Sequence, residues 1–152
     1  MELPIKVQGV MYCKENAKLE YLIIKRCKKD GGFWQGVTGT LEEGEKLKDC
    51  LIREIKEELG ITYINNISEI KETIQWAKKT GFIITEYVFL IEIDRNINII
   101  LSDEHEDYKW CEFNEAYQLL EKENNKNIKL CESWDFENGF FTILSPNLDR
   151  KS

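Results

Sequence analysis

The chain has 152 residues, of which 42% are hydrophobic and 32% charged; this size and composition fit one globular domain and exclude a disordered chain or a membrane bundle. Its 21 basic and 28 acidic side chains give a formal net charge of -7. We therefore expect no nucleic-acid partner, because phosphate binding needs an excess of Lys and Arg. We also expect neither a secretory signal nor a membrane span, and predict a cytoplasmic protein.

The predicted elements begin with two strands rich in β-branched and aromatic residues, over residues 7–12 and 21–24, with a polar turn between them. A charged loop over residues 28–32 follows. The next predicted element is a helix over residues 46–59. It is expected to end there because Gly60, directly after it, is the residue type that most often ends a helix. The first half of the chain thus combines strands with one amphipathic helix.

The second half predicts three further strands, over residues 67–76, 82–93 and 108–111. Two helices complete the chain, one over residues 114–123 with Asn114 as its N-cap, and one over residues 132–144 in spite of Gly139. Strands interleaved with helices are typical of an α/β fold with a mixed sheet. Since the sequence contains no repeat or linker, residues 1–152 are predicted to form a single domain.

Cysteines are scattered along the chain without a Cys-x-x-Cys pair, at Cys13, Cys27, Cys50, Cys111 and Cys131. Their odd number and their spacing favour buried, reduced thiols in a cytosolic protein over a disulfide framework. A zinc site is disfavoured as well, since His105 is the only histidine in the sequence.

The helix over residues 46–59 carries an unusual concentration of negative charge. At about 100° per residue, Glu54, Glu57 and Glu58 share one face of this helix. The apolar side chains that are expected to pack on the sheet point elsewhere: Leu51, Ile52, Ile55 and Leu59. Glutamates at this spacing repel one another unless a cation joins them, and magnesium commonly binds carboxylates together with substrate phosphates. The alternative is a solvated, Glu-rich helix face with incidental ion pairs.

The spacing of this segment favours a metal-binding helix face over a solvated one. Residues 39–61 match the pattern GX5EX7REUXEEXGU, in which U is a bulky aliphatic residue; the fixed positions are Gly39, Glu45, Arg53, Glu54, Ile55, Glu57, Glu58, Gly60 and Ile61. In this segment the chain resembles the Nudix hydrolase family. The resemblance implies an α/β/α sandwich with a mixed sheet over nearly the whole chain. It also implies a pyrophosphohydrolase that cuts a nucleoside diphosphate linked to another group.

Roles for the helix follow from the resemblance, position by position. Glu57 and Glu58 would be the principal ligands of Mg²⁺, with Mn²⁺ as a substitute, and the Gly39 carbonyl would contribute. Glu54 would bind the metal or orient the attacking water, and is a candidate general base. Arg53 would anchor the carboxylates through its planar guanidinium.

Two further acidic residues are implicated. Glu45 would lie at the edge of the site, among the substrate-binding residues. Glu104 precedes the strand over residues 108–111, where Nudix members often place a further Glu that completes metal binding or acts as the base. The alternative is an exposed acidic loop in which the neighbouring His105 makes a loop hydrogen bond and takes no part in catalysis.

The segment over residues 33–39 resembles the branch of the family that hydrolyses dihydroneopterin triphosphate. It implies that Trp34 stacks on a pterin or purine ring and that Gln35 also contacts the substrate. The alternative for Trp34 is a half-buried aromatic lid on the sheet. Arg26 and Lys6, on the first predicted strands, could contact the outer phosphates, or be solvated charges at a strand edge.

The leading hypothesis is therefore a magnesium-dependent enzyme that cleaves dihydroneopterin triphosphate or a purine nucleoside triphosphate to a monophosphate and pyrophosphate. A second hypothesis is a hydrolase of dinucleoside polyphosphates such as diadenosine tetraphosphate. A third is a Nudix domain that binds a nucleotide without cutting it, although such modules usually lose carboxylates that this chain keeps. The number of metals, the phosphorus attacked and the choice between monomer and homodimer stay open.

Overall fold

The computed structural model describes residues 5–120, 134–135 and 140–141. Within these residues the chain forms a seven-stranded sheet, a two-stranded sheet, two α-helices and one turn of 3-10 helix at Lys28–Asp30. The strands are β1 (Ile5–Glu15), β2 (Lys18–Arg26), β3 (Trp34–Gln35), β4 (Val37–Thr40), β5 (Asn66–Ala77), β6 (Ile83–Glu92), β7 (His105–Cys111), β8 (Trp134–Asp135) and β9 (Phe140–Phe141). The helices are α1 (Leu47–Leu59) and α2 (Phe113–Leu119).

Strand β1 is the centre of the large sheet. It runs parallel to β6, with Ile5 opposite Thr85 and Tyr12 opposite Glu92, and antiparallel to β2 and β4. Strand β2 in turn pairs with β3 and β7, while β5 extends the opposite edge through β6. The predicted α/β fold with a mixed sheet is therefore confirmed. Strand β7 begins at His105, three residues before the strand predicted there.

Helix α1 packs on one face of this sheet through Leu51, Ile55 and Leu59, which are fully buried. The helix approaches β1 so closely that a Cβ on Gly9 would lie 3.1 Å from Leu51 Cδ1. Ile52, predicted to belong to the same buried face, is 44% exposed, and Cys50 is buried instead. The reason is rotational: the buried arc of α1 is centred near Leu51, and Ile52 lies about 100° away at its edge.

Helix α2 covers the opposite face of the sheet. Its Ala116 is fully buried in a second apolar cluster with Tyr21 and Leu90, and the rings of Phe113 and Tyr117 stack at 6.0 Å between centroids. The sheet thus lies between α1 and α2, as the α/β/α arrangement requires. This second layer keeps the central parts of β1 and β6 buried on both faces, which suits their apolar runs over residues 10–13 and 87–91.

Both C-terminal helix predictions need correction. Helix α2 begins at Phe113 rather than at a capping Asn114, and it ends at Leu119; residues 121–123 of the predicted helix lie outside the described residues. Within the helix predicted over residues 132–144, the described residues instead form an antiparallel pair, β8 with β9. Trp134, Phe140 and Phe141 favour strands, and an Asn-Gly dipeptide between two such segments favours a hairpin turn, so the helical interpretation was wrong there.

Four of the cysteines fall within the described residues, and all four are free thiols. Cys13, Cys50 and Cys111 are buried, as expected, whereas Cys27 is partly exposed; Cys131 lies outside the described residues. Among the described residues, no helix combines the length and the apolar character that crossing a membrane would take.

The packing of α1 generates a direct test with two neighbouring residues. We expect Leu51→Ala to lower the free energy of unfolding by about 2–5 kcal/mol, because it leaves a cavity under the helix. Ile52→Ala, on the exposed side of the same turn, is the control and should change stability by about 0.5 kcal/mol or less. Urea unfolding monitored by circular dichroism measures both, and equal losses in the two variants would contradict this packing.

Candidate active site

A cleft of about 580 Å³ opens between α1, strand β4 and the loop before β7. Acidic and basic side chains from several parts of the chain line it. The lining residues are Lys6, Arg26, Thr38, Gly39, Thr40, Leu41, Glu42, Glu43, Glu54, Glu58 and Glu104. Of the residues predicted to form a site, the structure therefore brings together Lys6, Arg26, Gly39, Glu54, Glu58 and Glu104.

Gly39 lets the helix carboxylate lie directly against strand β4. A Cβ at this position would collide with Glu54 Cγ and stand 2.6 Å from Glu54 Oε2, closer than real Cβ atoms come to other atoms. Gly39 also pairs with Val7 of β1, so its backbone is fixed by the sheet. Glycine at position 39 is thus a steric requirement of the place that Glu54 takes in the cleft.

Glu54 and Glu58 are carboxylates that the fold has partly or largely removed from water. Burial raises the pKa of Glu54 to about 7, and the Glu57 carboxylate adds to the rise. Burial, followed by repulsion from Glu54 and Glu104, raises the pKa of Glu58 to about 8. The side chain of Glu58 is only 8% exposed, and its Oε2 has no hydrogen-bond partner among the described residues. Crowded, desolvated carboxylates with a free buried oxygen fit a hard divalent cation, which offsets their repulsion.

Glu57, predicted as a principal metal ligand, is paired with Arg53 in this structure. Arg53 Nη1 donates to both of its carboxylate oxygens, at 3.5 and 3.3 Å, and the side chain is 55% exposed and does not line the cleft. Accordingly, no group of three His, Cys, Asp or Glu side chains among the described residues is arranged to hold a metal ion. The pair that faces the cleft from α1 is Glu54 and Glu58.

Arg53 ties α1 to the segment that precedes it. Its Nε and Nη2 donate to the two oxygens of Glu45 at 2.8 and 3.0 Å, and Nη2 also donates to the Thr40 carbonyl at 3.3 Å. This fork of hydrogen bonds holds the pKa of Glu45 down at about 2. The contacts agree with the expectation that Arg53 anchors carboxylates. Glu45 itself, predicted among the substrate-binding residues, does not line the cleft and acts as a brace for the helix.

Glu104, Arg26 and Lys6 line the cleft from elements other than α1. The carbonyl of Glu104 accepts from the Cys27 N–H at 3.0 Å, so the residue after Arg26 fixes the loop that presents Glu104. Arg26 Nε donates to the Asp30 carbonyl at 3.2 Å, and its guanidinium lies 6.0 Å from the centroid of the Phe33 ring. Lys6 pairs with Thr40 across β1 and β4. Two cations therefore share the cleft with the carboxylates, a combination that suits a polyphosphate.

Trp34 and Gln35, predicted to contact substrate, lie outside the cleft lining. Trp34 packs against the apolar cluster beneath α2, which matches the structural alternative for this residue. Gln35 is buried, and its Nε2 lies 3.0 Å from Nε2 of His105. His105 is not in an exposed loop but begins β7, where burial and then the Arg26 charge lower its pKa.

Sequence reasoning missed the contacts that converge behind Glu58. His105 Nε2 lies 3.7 Å from Glu58 Oε1, so strands β3 and β7 bring Gln35 and His105 against a carboxylate of α1. It also missed Thr38, Thr40, Glu42 and Glu43 in the cleft lining. The residues that flank Gly39 and precede Glu45 in the matched pattern were the available signal for these four.

Comparison with known proteins gives one family match and related enzymes. A family model described as the NUDIX domain matches residues 6–132. The dihydroneopterin triphosphate diphosphatase of Haemophilus influenzae is 31% identical over 128 residues, which cover 76% of this chain and 78% of that protein. The asymmetrical bis(5'-nucleosyl)-tetraphosphatase of Caenorhabditis elegans is 28% identical over 120 residues, 77% and 86% of the two chains. The solved dihydroneopterin triphosphate pyrophosphohydrolase of Escherichia coli has a TM-score of 0.73 at 25% identity, covering 85% of this chain and 94% of that one.

The ion pair between Arg53 and Glu45 predicts a pH-dependent contribution to stability. Because the pKa of Glu45 is lowered in the folded state, the pair stabilises the fold fully at pH values above the ordinary glutamate pKa of 4.5. This stabilisation is lost as the pH falls towards about 2. We expect Glu45→Gln to cost about 1–2 kcal/mol at neutral pH, since the pair is partly exposed. Urea titrations at a series of pH values measure this effect. The difference in the free energy of unfolding between Glu45→Gln and the unchanged protein should shrink from pH 7 down to pH 3.

Glu43→Gln is the matched control, because Glu43 lies in the same loop and has no ion pair with any described residue. Its effect should be small at every pH. A penalty for Glu45→Gln that stays constant down to pH 3 would show that the ion pair is not its source.

Proposed function

Because the chain belongs to the Nudix hydrolase family, we propose that it is a magnesium-dependent pyrophosphohydrolase of a nucleoside-type triphosphate, namely dihydroneopterin triphosphate or a purine nucleoside triphosphate. The products would be a monophosphate and pyrophosphate. The sequence-based prediction of a Nudix enzyme that acts on phosphoanhydride bonds is confirmed at the level of the family. The substrate is supported by the names of the dihydroneopterin triphosphate diphosphatases among the relatives and by the charge pattern of the cleft.

One observation carries this proposal: a single cleft is lined by Glu54, Glu58 and Glu104 together with Arg26 and Lys6. Carboxylates alone would repel a triphosphate, and cations alone would bind it without activating water. Together they can hold a divalent cation on one side and the outer phosphate oxygens on the other. The overall charge of -7 is no obstacle, because charge is sorted locally within the cleft.

Glu58 and Glu54 would hold Mg²⁺, for which Mn²⁺ could substitute, together with the Gly39 carbonyl. The bound ion would supply neutralisation of phosphate charge and Lewis acidity. Glu57 now accepts two hydrogen bonds from Arg53, and it would join the metal ligands by giving up these bonds. Arg53 would remain in place through Glu45.

The proton of the attacking water needs a carboxylate within the cleft. Glu54 and Glu104 are the candidates for this general base, since both line the cleft and both are less deeply buried than Glu58. Attack of this water on the α- or β-phosphorus would form one phosphorus–oxygen bond and break the bond to the oxygen that bridges these two atoms. The leaving group is pyrophosphate for attack on the α-phosphorus and the monophosphate for attack on the β-phosphorus. Arg26 and Lys6 would stabilise the negative charge that this group carries away.

The proposed metal site predicts a large effect of a small change. We expect Glu58→Gln to lower the magnesium-dependent kcat/KM by about 10²–10³-fold, because an amide is a poor ligand for a hard cation at this enclosed position. Asp49→Asn is the control: Asp49 is exposed in the first turn of the same helix and away from the cleft, so its removal should leave kcat/KM within about twofold. Near-normal turnover by Glu58→Gln would refute the assignment of this residue.

Product analysis tests the substrate. The protein is incubated with Mg²⁺ and dihydroneopterin triphosphate, dATP, ATP or diadenosine tetraphosphate, and pyrophosphate and nucleotides are separated by chromatography. We expect pyrophosphate and a monophosphate from the triphosphates. Preferential cleavage of the tetraphosphate into two nucleotides would instead support the second candidate function, which the relative from Caenorhabditis elegans favours. Binding without hydrolysis of any of these compounds would identify a nucleotide-sensing module and overturn the proposal.

A further inference from the structure

We propose that His105 and Gln35 are positioning residues that hold the Glu58 carboxylate in the orientation in which it binds the metal. This inference rests on the proposed function, in which Glu58 is a metal ligand. Neither His105 nor Gln35 lines the cleft, so neither would touch substrate or metal. Their effect would be transmitted through one carboxylate.

The three side chains meet in a buried place that three different elements create. Gln35 comes from β3, His105 from the first position of β7 and Glu58 from α1. The side chain of His105 is fully buried, and Gln35 and Glu58 are 4% and 6% exposed. Strand β2 sets their relation, since Ile24 of β2 pairs with Gln35 and Arg26 of β2 pairs with His105. A polar contact at the junction of three elements has little freedom to rearrange.

Two contacts bear on where His105 carries its proton. Its Nε2 lies 3.0 Å from Gln35 Nε2 and 3.7 Å from Glu58 Oε1. With the proton on Nδ1, Nε2 accepts from the Gln35 amide nitrogen, and a buried Nδ1–H is left without a hydrogen-bond partner among the described residues. Turning the Gln35 amide over exchanges its nitrogen for its oxygen in the same space; Nε2–H then donates to that oxygen, and its dipole is favourable to an ionised Glu58. At 3.7 Å this is an oriented dipole beside the carboxylate and not a full hydrogen bond.

The arrangement leaves the two oxygens of Glu58 in different surroundings. Oε1 is turned towards His105, while Oε2 has no hydrogen-bond partner among the described residues. A carboxylate whose one oxygen is fixed from behind keeps the other oriented for a ligand. Groups that hold metal ligands in this way commonly change metal affinity by about 10–100-fold when they are removed.

A purely structural role explains the same contacts less well. His105 Nδ1 is buried and has no hydrogen-bond partner among the described residues, an arrangement that destabilises the fold relative to an apolar side chain of similar size. A buried polar group with an incompletely satisfied ring points to a use outside packing.

The test measures binding of Mn²⁺ alone, by isothermal titration calorimetry, without substrate. We expect His105→Leu, which removes the N–H while keeping an enclosed side chain, to raise the dissociation constant of Mn²⁺ by about 10–100-fold. His105→Gln can place an amide N–H near the position of Nε2, and should restore affinity to within about threefold of the unchanged protein. Unchanged affinity in His105→Leu, or an equal loss in His105→Gln, would overturn the inference.

A second variant keeps the test decisive where His105→Leu fails to fold. Gln35→Met removes the acceptor that orients the imidazole but preserves side-chain length, so it should weaken Mn²⁺ binding by about tenfold. Ile24→Val is the control for general loosening, because Ile24 is buried beside Gln35 and offers no polar group. The Mn²⁺ dissociation constant of Ile24→Val should match that of the unchanged protein. If Ile24→Val weakens Mn²⁺ binding as much as Gln35→Met does, general loosening of the fold explains both effects and the positioning role fails.

Glu58→Gln in the same titrations separates this inference from the function on which it rests. If Glu58→Gln binds Mn²⁺ normally, the proposed metal site fails. If Glu58→Gln loses binding and both His105→Leu and Gln35→Met retain it, the metal site stands and the positioning role fails.

Discussion

The burial of Glu54 and Glu58 against the sheet is the constraint on which the rest of the site depends. Leu51 and Ile55 draw α1 onto the sheet, and the same contact removes the two carboxylates from water. Desolvation of a charged carboxylate is costly unless opposite charge or hydrogen bonds compensate for it. Gly39 then allows the closest approach, because any other residue there would overlap Glu54. Packing in the core and electrostatic strain in the cleft are therefore produced by one helix placement.

The compensation is distributed over two sides of the helix. Arg53 lies at the partly exposed side and is satisfied by Glu45 and the Thr40 carbonyl, so it braces the helix without entering the cleft. Arg26 faces the buried side and opposes the rise in the pKa of Glu58. The two arginines thus have separate tasks, one mechanical and one electrostatic. Arg26 offsets only part of the repulsion between the carboxylates, and a cation bound in the cleft would offset the rest.

The sequence was sufficient for the parts of the molecule whose geometry is local. The spacing of Glu54 and Glu58 on one helix, the C-cap at Gly60 and the mixed sheet were all predicted and are present. Contacts that depend on strand pairing were not accessible, because nothing in residues 35 and 105 indicates that β2 aligns them. The exposure of Ile52 also escaped prediction, since the rotation of α1 depends on how its whole buried arc fits the sheet. Within residues 132–144, the strand preference of the aromatic residues in β8 and β9 outweighed a weak helical pattern.

The position of Glu57 shows how one helix can hold two i, i+4 pairs with different uses. Glu54 and Glu58 form the stripe that faces the cleft, and Arg53 and Glu57 form the adjacent stripe, about 100° away, where they pair with each other. An exposed i, i+4 pair stabilises a helix by only about 0.3–0.5 kcal/mol. Glu57 could therefore leave the Arg53 guanidinium and bind a divalent cation at little cost in stability, while Arg53 keeps its two hydrogen bonds to Glu45. The ion pair seen here and a metal-binding role for Glu57 are for this reason compatible, with the brace at Glu45 as the feature that permits the exchange.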